Sequence, residues 1–371
     1  MNENVEKISI WQLYILIIGF QVGSAVLVGI GNEAKGDAWI AVIIGTIIGV
    51  AIIWYYLFIL KKLPGKNLFE IILFCFGKWI GKPLIFLYVI YFLYLSARVL
   101  RDFDELIVSS IFEFTPIEFI SITMILTIVY ILHQGVEVLG RTSEVFFPYV
   151  LTFIVFIGLF LLLSGEMDFH NLQPVLGDGF KPVMNAIFPG IITFPFGESI
   201  AFMCIFSKVI TNEKVTSTSI IAVLTSGFLL TYSAIIQIAT LGVNLKERTN
   251  FPLLNAAREI SLLDFIERVD ILIVFTIMFG VIVKVSIFFY CGLKGIEALT
   301  HKTHRSFTLP LGAIIAYLSI EIASSYREHI VEGLKFVPLY IHLPFQFGIP
   351  LFILPFLLWK AKKKQKKESN Q

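Results

Sequence analysis

Glu198 and Lys284 are the residues placed to do chemistry, because each lies deep inside a long apolar run. A carboxylate at the centre of a bilayer costs about 2.5–3.5 kcal/mol on insertion scales, so a sequence keeps one there for a reason. Glu198 closes the run Thr193, Phe194, Pro195, Phe196, Gly197, Glu198 in the middle of residues 186–208. Proline removes a backbone donor and clashes with the preceding turn. Glycine costs about 1 kcal/mol relative to alanine inside a helix. A break of this kind survives in a membrane only where the freed backbone faces protein or a cavity. Glu198 then has three available roles: contact for a ligand amine, proton-coupling site, or hydrogen-bond partner for the opened backbone. Lys284, with Ser286 beside it, has two: a fixed cation standing where a coupled transporter holds sodium, or a side chain snorkelling toward the inner surface.

The elements that position these groups are membrane helices. The chain of 371 residues is 57% hydrophobic and 15% charged, against about 25% charged in soluble domains. The apolar content falls into ten runs long enough to span: residues 8–30, 37–60, 83–100, 117–132, 144–163, 186–208, 216–241, 269–293, 308–322 and 336–359. Residues 68–80 are apolar but short, which predicts a surface-lying helix. Residues 252–268 predict an amphipathic helix over the outer side, with Leu253, Ala256, Ala257, Ile260 and Leu263 on one face. Arg141 and Glu144 are spaced for an ion pair at the start of span 5. With the N-terminus inside, 18 of the 29 Lys and Arg fall on the inner side, 10 outside, and Lys284 within the membrane. The positive-inside rule therefore predicts both termini in the cytoplasm, with a basic tail over residues 360–371.

Span 1 carries a second interruption: Gly19, Phe20, Gln21, Val22, Gly23, Ser24. Two readings fit it, a close helix contact through Gly-x-x-x-Gly or an unwound segment. Spans 1 and 6 are five apart. That predicts a five-plus-five inverted repeat, with repeat one over residues 8–163, repeat two over 186–322, and the broken helices meeting at mid-membrane. Freed amides there suit an anion and freed carbonyls a cation, a pairing a zwitterion satisfies. Tyr88, Tyr91 and Tyr94 share a face of span 3. Packing explains part of that stripe, and Tyr91 and Tyr94 are candidate ligand contacts. The candidate ligand site is thus Gly19, Gln21, Val22, Gly23, Ser24, Tyr91, Tyr94 and residues 193–198, with Lys284 and Ser286 as the charge-coupling pair.

Other classes are poorly served. Cys75, Cys204 and Cys291 read as buried apolar residues. His301 and His304 read as solvated loop residues. No metal or cofactor is expected. Zincin and nucleophile-elbow motifs are missing, which argues against an enzyme. The basic residues follow topology and form no single face, which argues against nucleic acid. The first apolar run lacks the pattern of a cleaved leader and is expected to remain as a span.

Several motifs together resemble a known family: Pro64-Gly65-Lys66, Gly77-Lys78-Trp79, Ala97-Arg98-Val99-Leu100-Arg101, the run Gly-Arg-Thr-Ser-Glu-Val-Phe-Phe-Pro at 140–148, Asn-Leu-Gln-Pro-Val-Leu-Gly at 171–177, Phe194-Pro195-Phe196-Gly197-Glu198, and Met278-Phe279-Gly280 leading to Lys284. The chain resembles the B subunits of endospore germinant receptors, the spore-germination branch of the amino acid–polyamine–organocation transporters. The resemblance implies an all-α, ten-span leucine-transporter-type fold. It implies a subunit that binds a small nutrient, an amino acid or nucleoside, and acts with A and C subunits in the spore inner membrane. A permease for amino acids or polyamines, independent of sodium, is the alternative.

Overall fold

The computed structural model describes residues 6–210, 213–260 and 270–368. Its elements are α1 (Ile10–Val28), α2 (Ala38–Lys61), α3 (Leu68–Ser110), α4 (Ile117–Gln134), α5 (Val136–Ser164), α6 (Lys181–Cys204), α7 (Val215–Arg248), α8 (Pro252–Arg258), α9 (Asp270–Thr300), α10 (Arg305–Glu321), α11 (Tyr326–Phe336) and α12 (Pro338–Lys360). Among the described residues, nine helices are long and apolar enough to span a membrane, and α10 with α11 makes a tenth bent by 103°. The ten expected spans each correspond to one of these.

Helix α1 starts on a capping box. Ser9 Oγ accepts from the Gln12 amide at 3.0 Å, and Gln12 Oε1 accepts from the Ser9 amide at 2.9 Å, satisfying two donors a helix start leaves open. The helix is apolar on all sides and is the most enclosed of the bundle, as expected of a helix hydrophobic all round. It packs against α5, α7 and α9. Edge-on contacts of Phe20 with Phe202 and Phe288, at 5.2 and 4.9 Å between centroids, weld α1, α6 and α9 together. Such pairs contribute about 0.5–1.5 kcal/mol each beyond burial. Helices α5 and α12 are the least enclosed and present most of their surface outward.

Spans 1 and 6 run in opposite directions. The start of α1 is tied to the stretch just beyond α6: the Ile8 amide donates to the Lys208 carbonyl and the Ile210 amide to the Ile8 carbonyl, each at 3.0 Å.

The local differences from expectation have physical causes. Span 1 is not unwound at Gly19–Ser24: α1 is helical throughout and is interrupted just past its C-terminal end, where Gly29 and Gly31 take φ of 69° and 79°. Residues 68–76 form a helix of their own, set off from span 3 by a kink at Gly77. They pack Leu68, Phe69, Ile71 and Ile72 inward and join span 3 across Gly77, whose φ of 70° turns the chain. Span 5 begins at Val136, so Arg141 pairs with Glu137 at 2.7 Å while Glu144 accepts from Gln12 at 3.0 Å. The predicted Arg141–Glu144 pair gives way to these partners. The predicted amphipathic helix covers Pro252–Arg258 with Leu253, Ala256 and Ala257 buried, and Leu263 lies outside the described residues.

Candidate functional site

The break in span 6 falls where proline and glycine put it. Phe188 and Phe194 leave helical geometry, with φ/ψ of −113°/127° and −127°/116°. Thr193 Oγ1 donates back to the carbonyls of Pro189 at 2.8 Å and Gly190 at 2.9 Å. Below the break, the Tyr56 hydroxyl reaches the Gly197 carbonyl at 3.1 Å and the Gln346 carbonyl at 2.9 Å. The backbone freed by the break is thus answered by side chains, as a non-aqueous interior demands. Glycine is favoured at 197, because a Cβ there would stand 2.7 Å from the Ile192 carbonyl oxygen, besides meeting Gln346 Oε1. Phe196 packs on α2, where a Cβ at Gly49 would stand 2.5 Å from its ring.

The break carries Glu198 onto Lys284. Lys284 Nζ lies 2.6 Å from Glu198 Oε2 and donates to Ser24 Oγ at 2.8 Å. Both charged side chains are almost completely buried. The ammonium also sits 4.3 Å from the centroid of the Phe194 ring and 5.3 Å from that of Phe20, a favourable placement of a cation over aromatic faces. Gln21 Nε2 donates to Ser199 Oγ at 2.9 Å. Spans 1, 6 and 8 of the sequence therefore meet through Ser24, Glu198 and Lys284. Snorkelling does not describe Lys284, whose amine is turned inward to a carboxylate. Ser286 is buried on the same helix, and its hydroxyl has no hydrogen-bond partner among the described residues.

Glu198 and Phe194 form one wall of a cavity of about 50 Å³. The other walls are Val28 of α1, Leu95, Arg98, Val99 and Asp102 of α3, Ile330, Gly333 and Leu334 of α11, and His342 of α12. Tyr91 stands behind it, its hydroxyl 3.0 Å from His342 Nδ1 and accepting from Gln346 Nε2 at 3.0 Å. The Tyr94 hydroxyl accepts from Arg98 at 3.2 Å and donates to Glu332 at 3.4 Å.

Gly19, Val22 and Gly23 face elsewhere. They line an apolar crevice against Phe147, Val150, Phe279 and Gly280. Gly23 lies so close to Gly280 that a Cβ would stand 2.6 Å from its carbonyl carbon. Pro195 and Phe196 are buried in the α2 contact. Arg98, Asp102 and His342 line the cavity without having been candidate site residues; Arg98 stood only in a motif of the resemblance. No spacing rule brings 98, 102 and 342 together.

A second polar cluster closes the opposite end of the bundle. His304 is not solvated: it is buried 3.4 Å from Glu6 and 3.4 Å from Glu297. Glu6 also accepts from the Tyr290 hydroxyl at 2.9 Å. Burial is the largest influence on Glu6 and pushes its carboxyl up. The His304 hydrogen bond, the charges of Lys294 and His304, and the Tyr290 hydroxyl outweigh it and bring the value down to about 2. Burial likewise pushes His304 down, but hydrogen bonds to Glu297 and Glu6 carry it above its ordinary range.

Known proteins give this geometry its context. The family model described as spore germination protein, the spore permeases, matches residues 7–326. The chain is 36% identical to spore germination protein KB of Bacillus subtilis, over 98% of each chain. It is 25% identical to spore germination protein YndE of the same organism, over 98% of this chain and 99% of that one. Among solved structures it is similar to MhsT in complex with L-phenylalanine, with a TM-score of 0.68 at 13% identity, covering 94% of this chain and 88% of that one. That likeness carries the fold, a transporter fold of the leucine-transporter type. The chain belongs to the spore germination permease family, the family of germinant-receptor B subunits that its motifs resemble.

Proposed function

We propose that this chain is the nutrient-sensing subunit of a spore germination receptor, binding a small molecule such as an amino acid or nucleoside at mid-membrane and triggering germination. One observation carries the reading: the opened backbone of α6 delivers Glu198 to Lys284 at 2.6 Å beside a cavity. Maintaining a broken helix and two buried charges is costly, and a structural helix needs neither. In this reading the ligand is met by Phe194 and Glu198 of α6, by Gln21 and Ser24 of α1, and by Tyr91 and Tyr94 of α3, while Pro195 and Phe196 serve the α2 contact. Gly19, Val22 and Gly23 serve the packing that holds α1 in place. The receptor works with A and C subunits in the spore inner membrane, and both termini face inward. Spores carrying Glu198→Gln should lose or shift their response to a panel of amino acids and nucleosides, read per molecule of protein in the spore membranes because the substitution also leaves Lys284 buried without its partner. An unchanged dose–response removes Glu198 from the site.

The transporter fold favours one second reading, a permease. Lys284 then supplies the fixed positive charge that sodium supplies elsewhere, and movement of solute is independent of sodium. Uptake of labelled amino acid by proteoliposomes holding this chain alone favours the permease, and sodium-dependent uptake would overturn the role given to Lys284.

A further inference from the structure

The cavity beside Glu198 has a volume of about 50 Å³, whereas pockets for small organic ligands run to about 300–1,000 Å³. A ligand therefore needs a wall that moves. The walls from α1, α3, α6 and α12 belong to helices each long enough to span by itself. The wall from α11 belongs to a helix that completes a span only together with α10, from which it bends by 103°; it continues through the helical Val337 into α12 and rests on α3 through two sets of polar contacts.

In the first set, Arg98 Nη2 donates to the His329 carbonyl at 2.5 Å, and Arg98 Nη1 stands 3.4 Å from Glu332 Oε2. In the second, Asp102 Oδ1 lies 3.0 Å from His329 Nε2 and accepts from the Tyr326 hydroxyl at 3.4 Å. Residues 98 and 102 are one turn apart on α3, so the two contacts form a ladder along one face. Gly333 completes the fit, because any Cβ there would collide with the Arg98 guanidinium.

The charges on the cavity are unequally answered. Glu198 has Lys284 at 2.6 Å, and Asp102 has His329 and Tyr326. Arg98 has one ionic contact, at 3.4 Å to a Glu332 side chain that is 35% exposed. Its other partners, the Tyr94 hydroxyl and the His329 carbonyl, are neutral. A guanidinium stays charged at any physiological pH, and its fork matches a carboxylate or phosphate better than a single carbonyl.

We propose that α11 is a displaceable roof over the site, and that Arg98 is a specificity-determining residue that exchanges its α11 partners for an anionic group on the ligand. The proposal rests on the ligand-site reading above. Raising α11 removes the His329 carbonyl and Glu332 from Arg98 in the same movement that opens the cavity, so access and recognition are one event. A ligand without an anionic group leaves Arg98 unanswered, and the roof contacts then compete successfully.

The test needs no known ligand. Val99 lines the cavity, and the native cysteines Cys75, Cys204 and Cys291 are buried, so the unsubstituted protein serves as the blank. Full-length Val99→Cys protein in lipid nanodiscs is labelled with two thiol reagents of similar size, the anionic 2-sulfonatoethyl and the cationic 2-(trimethylammonium)ethyl methanethiosulfonate. Each rate is taken relative to that reagent's rate with a free small thiol, because the cationic reagent is intrinsically the faster; on that scale the anionic reagent should be favoured at least about tenfold, the scale on which a charged cleft concentrates an oppositely charged solute. Arg98→Gln should erase that preference. His329→Phe with Glu332→Gln should speed both reagents several-fold. Equal relative rates for the two reagents in the protein retaining Arg98 overturn its role, whether or not the Arg98 variant folds. Rates unmoved by the α11 substitutions, or no labelling with them, overturn the roof. Germination of Glu198→Gln spores is read separately, so failure of the ligand-site reading and failure of this proposal are distinguishable.

Discussion

Spans 1 and 6 show the same warning in sequence and answer it in opposite ways. Each has small residues in the middle of an apolar run, at 19–24 and 193–198. Helix α1 stays intact, and its Gly23 is pressed onto the backbone of Gly280. Helix α6 opens at Phe194 and delivers Glu198 into the protein. Glycine permits both outcomes, since lacking a Cβ allows close approach as well as unusual dihedrals. Proline decides between them, because it withdraws a donor that the helix cannot replace. The difference teaches that paired glycines mark where helices touch, whereas proline joined to an ionisable group marks where one opens.

The largest effect should come from dividing the charges that the break brings together. Lys284→Met leaves Glu198 buried without its cation, and breaking such a pair costs about 3–5 kcal/mol. Thermal unfolding of the purified protein in detergent should show a marked loss of stability. Combining Lys284→Met with Glu198→Gln removes both charges and should recover most of it. A single variant as stable as the parent would mean that the two groups do not depend on one another.

The next effect lies on the α1 side of the comparison. Gly23→Leu forces α1 off Gly280 and should cost roughly 1–3 kcal/mol or more as overpacking. Its signature is lower protein in the membrane, with a normal response per molecule that remains. A full protein level with an altered nutrient response would instead bring Gly23 into the ligand site.

Much of this contrast is legible in sequence, and what is not has a common cause. The span 6 break follows from Pro195, Gly197 and Glu198 standing together, and the depth of Lys284 follows from the length of its apolar run. Both are local facts. The unbroken course of α1 is not local, because it depends on Gly280 arriving from another helix. The cavity wall is still less so. Arg98 and Asp102 acquire meaning only when the 103° bend brings α11 over α3, and His342 only when α12 turns it toward Tyr91. His304 was misread for the same reason. Next to Lys302 and Arg305 it has the company of a solvated loop residue, and its partner Glu6 lies at the far end of the chain.

The smallest effect concerns the end of the bundle where α1 is tied beside α6, at Ile8 and Ile210. Glu6 is depressed to about 2 from an ordinary 4.5, so its stabilisation is present above about pH 4.5 and is lost as pH falls through about 2. His304 is raised above 6.5, so its contribution is full below pH 6.5 and is lost as pH rises through the raised value. The two overlap between about pH 4.5 and 6.5, where the linkage of each proton to folding favours the tied form. Lys294, Glu297 and Tyr290 of α9 face the same pair and complete the charge set. Amide protection factors at Ile8 and Ile210, corrected for intrinsic exchange, should peak in that window and decline modestly toward pH 8. Glu6→Gln should flatten the curve. Protection that stays constant across the range, with Glu6 in place, would separate this polar cluster from the tie between α1 and α6 and leave the backbone pairing at Ile8 to hold the two spans by itself.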